Sequence, residues 1–278
     1  MIAAFQGERG AFSEEAARQL LGASVEVLPC ETFEDVFAAV KDGRAKAAVV
    51  PIENSLAGSV LRNYELLAGA DLTITAEAYV RIALNVIGHR GAKLEDIRRV
   101  SSHPVALAQC HRFLGSHRFE VTPSYDTAGS VKNVIEHGAR DEAAIAGATA
   151  AEIYGGEILA RGVEDHHHNY TRFLLLEPAG GAVAESDRAF KTTILFRTPN
   201  RPGALFRALA AFALRDVNLS KIESRPIEGR PWEYSFYVDL AGRSSEPNVH
   251  RGIEHLREMC ESVRVLGSYP VGELKIEN

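Results

Sequence analysis

Residues 47–52, Ala47-Ala48-Val49-Val50-Pro51-Ile52, form an unbroken apolar run, and Glu53 ends it at once. A strand with no polar face must be covered on both sides, as in a parallel sheet sandwiched between helices. The surrounding chain fits that demand. Short apolar runs at residues 2–5, 25–28, 72–74, 78–87, 99–101, 119–122, 143–146 and 170–176 read as strands. Amphipathic stretches separate many of them. One is expected at residues 13–21, with Ser13 as N-cap, Glu14 and Glu15 in the first turn and Gly22 closing it. Another opens on the capping box Thr32-Phe33-Glu34-Asp35 and buries Phe33, Val36, Phe37 and Val40 at i, i+3, i+4, i+7. Further helices are expected from Pro104, from Asp126 to Gly138 and over residues 149–154. Strands alternating with helices predict an α/β fold with mostly parallel sheet.

The stretch 178–187 is small and polar and reads as a linker. Beyond it come a strand (192–197), a helix (203–214), two strands (217–223 and 234–239), a helix (248–260) and a strand (263–266). That β-α-β-β-α-β order is ferredoxin-like. Two domains also suit a chain of 278 residues, since a domain takes roughly 100–200.

Several functions are disfavoured. With 31 basic and 37 acidic residues the net charge is −6, the opposite of a nucleic-acid binder, and an anionic substrate must be captured by local groups. Cys30, Cys110 and Cys260 are far apart and form no Cys-x-x-Cys pair, which suits a reducing cytoplasm and not a disulfide framework or zinc site. No run approaches the ~18 uncharged residues of a membrane span, and the N-terminus has no secretory pattern. Gly7-Glu8-Arg9-Gly10 lacks the third glycine of a dinucleotide loop. His166-His167-His168 has only Asp165 near ligand spacing, so no metal is expected.

Polar residues follow strands at four places: Gln6 to Ser13, Glu53-Asn54-Ser55 to Gly58, Ser101-Ser102-His103, and Tyr125-Asp126-Thr127. Each could be a helix cap. Together they mark the strand ends at which α/β proteins bind ligands, with helix N-termini suited to anions. Glu53 places a carboxylate at the mouth of such a cleft. Arg172, at the start of the run Phe173-Leu174-Leu175-Leu176, could present its fork to a carboxylate or could snorkel to the surface. In the second region, Pro202-Gly203-Ala204-Leu205 and Glu223-Ser224-Arg225-Pro226 read as turns or as a small-ligand niche.

From Phe5 to about Tyr269 the chain resembles the prephenate dehydratase family with its C-terminal ACT regulatory domain. The resemblance rests on Val50-Pro51-Ile52-Glu53-Asn54-Ser55-Leu56-Ala57-Gly58-Ser59-Val60, on Ser102-His103-Pro104-Val105-Ala106-Leu107-Ala108-Gln109-Cys110, and on Asp165-His166-His167-His168-Asn169-Tyr170-Thr171-Arg172-Phe173. Gly203-Ala204-Leu205, Glu223-Ser224-Arg225-Pro226 and Trp232-Glu233-Tyr234 carry the ACT part. The chain departs from the family pattern at Glu8 (often Pro), Ala11 (often Thr), Val105 (usually Gln) and Asp126 (more usually Ser).

The resemblance implies two α/β subdomains in a type 2 periplasmic-binding-protein arrangement, about 1–77 plus 164–177, and 78–163. A linker would span 178–188 and the ACT domain 189–278. It implies decarboxylative dehydration of prephenate to phenylpyruvate without a cofactor. Arogenate dehydratase and a non-catalytic amino-acid sensor are the alternatives. Thr171, Arg172 and Glu53 are the implied catalytic residues, with Asn54, Ser55, Ser102, Gln109, Asn169 and Phe173 on the substrate. Phenylalanine would bind at Gly203, Ala204, Leu205, Asn218, Glu223, Ser224, Arg225 and Pro226, between ACT domains of a homo-oligomer, a dimer of dimers, in the cytoplasm.

Overall fold

A computed structural model describes residues 1–180 and 186–274. The central part of the expected linker, 181–185, lies outside the described residues. In chain order the elements begin β1 (Ile2–Gln6), α1 (Phe12–Leu21), β2 (Glu26–Cys30), α2 (Phe33–Lys41), β3 (Ala47–Asn54), β4 (Gly58–Ser59), α3 (Leu61–Gly69) and β5 (Leu72–Arg81). There follow β6 (Asn85–Gly88), β7 (Arg99–Ser102), α4 (Pro104–Gln109), α5 (His111–Gly115), β8 (Glu120–Pro123), α6 (Thr127–His137), β9 (Glu142–Ala146), α7 (Ala148–Tyr154), β10 (Glu157–Ala160) and β11 (Tyr170–Pro178). The last group is β12 (Phe190–Arg197), α8 (Ala204–Ala213), β13 (Leu219–Ile227), β14 (Arg230–Ala241), α9 (Pro247–Met259) and β15 (Ser262–Pro270).

Three sheets result. The first runs β2-β1-β3-β11-β5, with β4 on β3; the second runs β10-β6-β9-β7-β8; the third runs β13-β14-β12-β15. The fold is mixed α/β. The first two sheets are less uniformly parallel than the alternation predicts. β1 pairs in parallel with β2 and β3, and β7 with β8 and β9. But β6 lies antiparallel to both β9 and β10, and β4 folds back on β3. The unbroken run at 47–52 is indeed central, with Ala47, Ala48 and Val49 fully buried.

Local signals act as expected at two helix starts. Thr32 Oγ1 accepts from Asp35 N at 3.1 Å, and the Asp35 carboxylate accepts from Thr32 N, so both halves of the capping box form. Asp126 caps α6, and Gly138 ends it in the left-handed region at φ 71°. Ser13 does not cap α1. The helix starts one residue earlier, at Phe12, with Ala11 as a cap without a side-chain bond.

By contact density the chain forms two compact units. Among the described residues, one holds 1–67, 78–175 and 273–274; the other holds 68–77, 176–180 and 186–272. In the first unit the two α/β sheets share an apolar cluster in which Phe5 and Ala11 meet Ile87, Ala128 and Val131. In the second, α8 and α9 cover one face of the third sheet, burying Phe196, Phe212, Val238, Leu240, Ile253 and Leu256. Residues 68–77 belong to this unit for concrete reasons. Lys191 Nζ meets Glu77 Oε1 at 2.9 Å, with the lysine side chain 9% and the glutamate 0% exposed. Arg264 donates to the carbonyls of Ala68 and Ala70 at 2.9 and 2.5 Å. Gly267 is needed for the close approach, since a Cβ there would sit 2.1 Å from Ile74 O.

Candidate active site

All four of the polar loops singled out above border one cavity of about 570 Å³ in the first unit. Gln6, Phe12 and Ser13 come from the β1–α1 segment, Asn54, Ala57 and Gly58 from the end of β3, His103 from the β7–α4 junction, and Tyr125, Asp126 and Thr127 from the β8–α6 junction. β11 supplies Thr171 and Phe173. The first loop is held by Glu14, fully buried, which accepts from Gly10 N at 2.8 Å and from Arg18 Nη2 at 2.6 Å. Burial acts to raise the Glu14 pKa, but the Gly10 N–H, Arg18 and Arg9 overcome it, and the pKa lies below its ordinary value.

Asn54 organises the chemistry. Its Nδ2 donates to Asn169 Oδ1 at 2.8 Å and lies 3.0 Å from Thr171 Oγ1 and 3.2 Å from Tyr170 O. Asn169 Nδ2 donates to Gln109 Oε1 at 2.9 Å, and Gln109 Nε2 returns to Asn54 Oδ1 at 3.3 Å. The three amides therefore close a ring, with Leu56 N and Ala57 N also donating to Asn54 Oδ1 at 3.0 and 2.8 Å. Such closed networks rigidify a site because every member is satisfied. The ring turns Thr171 Oγ1 into an acceptor from Asn54, so the Thr171 hydroxyl hydrogen remains to be donated elsewhere.

Thr171, Asn54, Gln109 and Phe173 thus border the cavity, whereas five other expected residues do not. Arg172 does not border it. Successive strand residues face opposite ways, so with Thr171 and Phe173 on the cavity side, Arg172 occupies the other face of β11, buried at 6% exposure. Glu53 is separated from Asn54 by the same alternation along β3 and is half-buried away from the lining. Ser102 is fully buried and spends its hydroxyl on Ile145 O at 2.6 Å. Ser55 ties two strands, accepting from Tyr170 N at 3.0 Å and donating to His168 O at 3.3 Å. Asn169 is fully buried behind the cavity wall as a member of the amide ring.

Residues that the sequence reading did not assign to the site fill the gaps. His103 Nδ1 accepts from Val105 N at 3.3 Å, which places the imidazole hydrogen on Nε2. Burial lowers the His103 pKa, with Asp126 opposing. Asp126 Oδ2 accepts from Gly129 N at 2.8 Å and from Glu8 N at 3.2 Å. Burial nevertheless raises its pKa, against the Gly129, Glu8 and Thr127 N–H groups. Tyr125 donates to Glu8 at 3.1 Å, and Lys132 meets the same carboxylate at 3.3 Å. Burial and then the Glu8 carboxylate push the Tyr125 pKa up.

The expected effector residues lie in the second unit. The register Arg197↔Ser235↔Arg225 puts Glu223-Ser224-Arg225-Pro226 at the end of the sheet where β12 exits toward Gly203, Ala204 and Leu205. Gly203 caps α8 at φ 74°. Asn218 lies at the opposite end, where its carbonyl accepts from Ala241 N at 2.9 Å. Among the described residues no three His, Cys, Asp or Glu side chains are grouped as metal ligands, and no helix is long and apolar enough to cross a membrane.

A cavity at the ends of strands from two α/β sheets, with helix N-termini and a tethered hydroxyl in its wall, together with a βαββαβ module, defines a small-molecule enzyme with an appended regulatory fold. The family model for prephenate dehydratase matches residues 3–180, and that for the ACT domain matches residues 192–249. The chain belongs to the prephenate dehydratase family and is a lyase of phenylalanine biosynthesis. It is 42% identical over 279 residues to arogenate dehydratase/prephenate dehydratase 2 of Arabidopsis thaliana, covering 96% of this chain and 72% of the relative. It is 39% identical over 274 residues to a bifunctional N-acyl-homoserine lactone acylase/prephenate dehydratase of Komagataeibacter europaeus, covering 99% and 97%. The crystal structure of prephenate dehydratase from Arthrobacter aurescens in complex with L-Phe superimposes with a TM-score of 0.89 at 36% identity, covering 97% of this chain and 90% of that one.

Proposed function

We propose that the cavity bordered by Asn54 and Thr171 carries out the decarboxylative dehydration of prephenate to phenylpyruvate. The ring C–O bond breaks and the hydroxyl leaves as water. The bond to the ring carboxylate breaks, its electron pair enters the ring, and carbon dioxide departs. One proton is consumed per turnover. Thr171 donates a hydrogen bond to the departing oxygen while solvent supplies the proton, and the supporting observation is that Asn54 already occupies Oγ1 as an acceptor. Phe173 provides an apolar wall for the ring carboxylate. Substrate carboxylates meet N–H groups at the starts of α1 and α2, whose residues Ser13 and Phe33 border the cavity. Gln109 and Asn54 orient the ring. Asn169, Ser55 and Ser102 hold the wall from behind, and Arg172 and Glu53 stabilise their strands from the far side.

The domain assignment of residues 1–177, 178–188 and 189–278 to catalysis, linker and regulation belongs to the same reading. So does inhibition by phenylalanine at Gly203, Ala204, Leu205, Glu223, Ser224, Arg225 and Pro226. Asn218 joins that set if a second copy completes the niche. The exposure of Phe206 at 77% and Trp232 at 81% supports a homo-oligomer, a dimer of dimers. The three separated cysteines support a cytoplasmic location.

The test is to incubate the full chain with prephenate, with and without L-phenylalanine, and follow phenylpyruvate absorbance. Turnover that phenylalanine suppresses, and that Ser224→Ala frees from suppression, is expected. Absence of phenylpyruvate would refute the catalytic reading, and undiminished suppression in Ser224→Ala would refute the effector site.

A further inference from the structure

A doubly anionic substrate approaching a chain of net charge −6 depends on local cations. Yet among the described residues that border the cavity there is no lysine or arginine. The ionisable groups there are His103, Tyr125 and the carboxylates of Glu31, Glu34 and Asp126. Burial lowers the His103 pKa and raises that of Asp126, which favours the neutral form of each. Glu34 differs. Its own backbone N–H and then Arg62 hold its pKa below the ordinary value. Nε and Nη2 of Arg62 both lie on Glu34 Oε1, at 2.6 and 2.5 Å, and Nη1 meets Glu65 Oε2 at 3.1 Å.

Three observations make this guanidinium available to the cavity. The wall itself places it, because Arg62 lies in the first turn of α3, two residues after Val60, which borders the cavity. Asn63, fully buried, anchors that turn by donating to the carbonyl of Pro51, another bordering residue, at 2.6 Å. Second, the Arg62 and Glu34 side chains are 53% and 48% exposed. An ion pair so open to water adds little net stability, so exchanging one carboxylate for another costs little. Third, the Nε–Nη2 edge is a two-donor fork that matches the two oxygens of a carboxylate, but Glu34 offers it only one. A ligand carboxylate facing the fork would take one donor on each oxygen.

We infer that Arg62 is a substrate-binding residue whose guanidinium exchanges the Glu34 carboxylate for the pyruvyl carboxylate of the dianion. This rests on the dehydratase reading and deepens it. A cation on the ring carboxylate would hold back the group that leaves as carbon dioxide, whereas the pyruvyl carboxylate is unchanged by the reaction. A contact to that group is equally strong in the ground state and the transition state, so it lowers KM and leaves the chemical step alone. Glu34, once released, turns its exposed carboxylate to water.

The experiment measures kcat and KM of the full chain on prephenate, and KM does not depend on the fraction of folded enzyme. Arg62→Ala is expected to raise KM by about tenfold or more, with kcat changed by less than about threefold. That variant also leaves Glu34 without Arg62, so Glu34→Gln and the double variant separate repulsion from lost binding. Glu34→Gln is expected to leave KM at or below the wild-type value, and the double variant to keep it at least about fivefold above. A KM within threefold of wild type in Arg62→Ala, or recovery to within threefold in the double variant, overturns the inference while leaving the dehydratase reading intact. Absence of prephenate turnover by the wild-type chain overturns both.

Discussion

Replacing Thr171 with Val separates catalysis from folding, because the two depend on different hydrogen bonds. Val has nearly the volume of Thr and lacks only the hydroxyl. The Asn54 amide has two hydrogens and three acceptors within reach, Asn169 Oδ1, Thr171 Oγ1 and Tyr170 O, at 2.8, 3.0 and 3.2 Å. Removing Oγ1 still leaves one acceptor for each hydrogen, so the amide ring survives and no buried donor is stranded. The unfolding free energy should change by less than about 1 kcal/mol, well below the ~1–3 kcal/mol of an unsatisfied buried group. Turnover should fall by about 100-fold, the size of one lost donor to a developing oxyanion, equivalent to about 2.7 kcal/mol in the barrier. Thr171→Ser restores the donor and should recover most of the rate. Initial rates of phenylpyruvate formation and urea unfolding of the same preparations give both numbers. A kcat within threefold of wild type in Thr171→Val removes the hydroxyl from the mechanism. A rate loss matched by several kcal/mol of destabilisation would show that Thr171 serves the wall and not the reaction.

Lys191→Met leaves the fully buried Glu77 carboxylate without its ammonium and should cost about 3–5 kcal/mol in urea unfolding. The double variant with Glu77→Gln should regain most of it, and an additive double variant would contradict a coupled pair. For His103, burial holds the folded pKa below the ordinary 6.5. The unfolded chain therefore takes up the proton first, and the stability associated with neutral His103 is complete above about pH 6.5 and lost as the pH falls through the folded value. His103→Gln should flatten the acid side of the stability profile relative to wild type, and parallel profiles would refute this. Phe206→Asp and Trp232→Asp should lower the mass measured by light scattering, and an unchanged mass in both would rule out those side chains as subunit contacts.

Much of the architecture was legible because local chemistry and tertiary context agree. The capping box at Thr32 and the cap-to-glycine span from Asp126 to Gly138 are self-contained signals, and both form. Ser13 misled because a cap residue type inside the first turn looks the same in sequence as a cap one position earlier. The short β4, α3 and β10 went unread, the strands because two to four residues carry little periodicity. Within the site, Thr171 and Asn54 could be singled out from their motif. Arg172 shows the limit of reading by adjacency, since neighbours along a strand are neighbours on opposite faces. His103, Asp126 and Tyr125 sit in loops that the strand-end reading marked, but which of their side chains line a common cavity shows only once those loops converge.

The strand β5 has a practical consequence for anyone wishing to dissect the molecule. Its first residues, through Glu77, are assigned to the unit that also contains residues 186–272, while Ala78 onward is assigned to the other. A protein ended at residue 177 would keep Glu77 and lose the Lys191 ammonium that meets it, and the peptide edge at Ala68 and Ala70 would lose Arg264. A cut at residue 177 therefore passes through one compact unit and removes structural support along with any ligand site, so an altered rate in the shortened form would not by itself reveal what the missing part regulates.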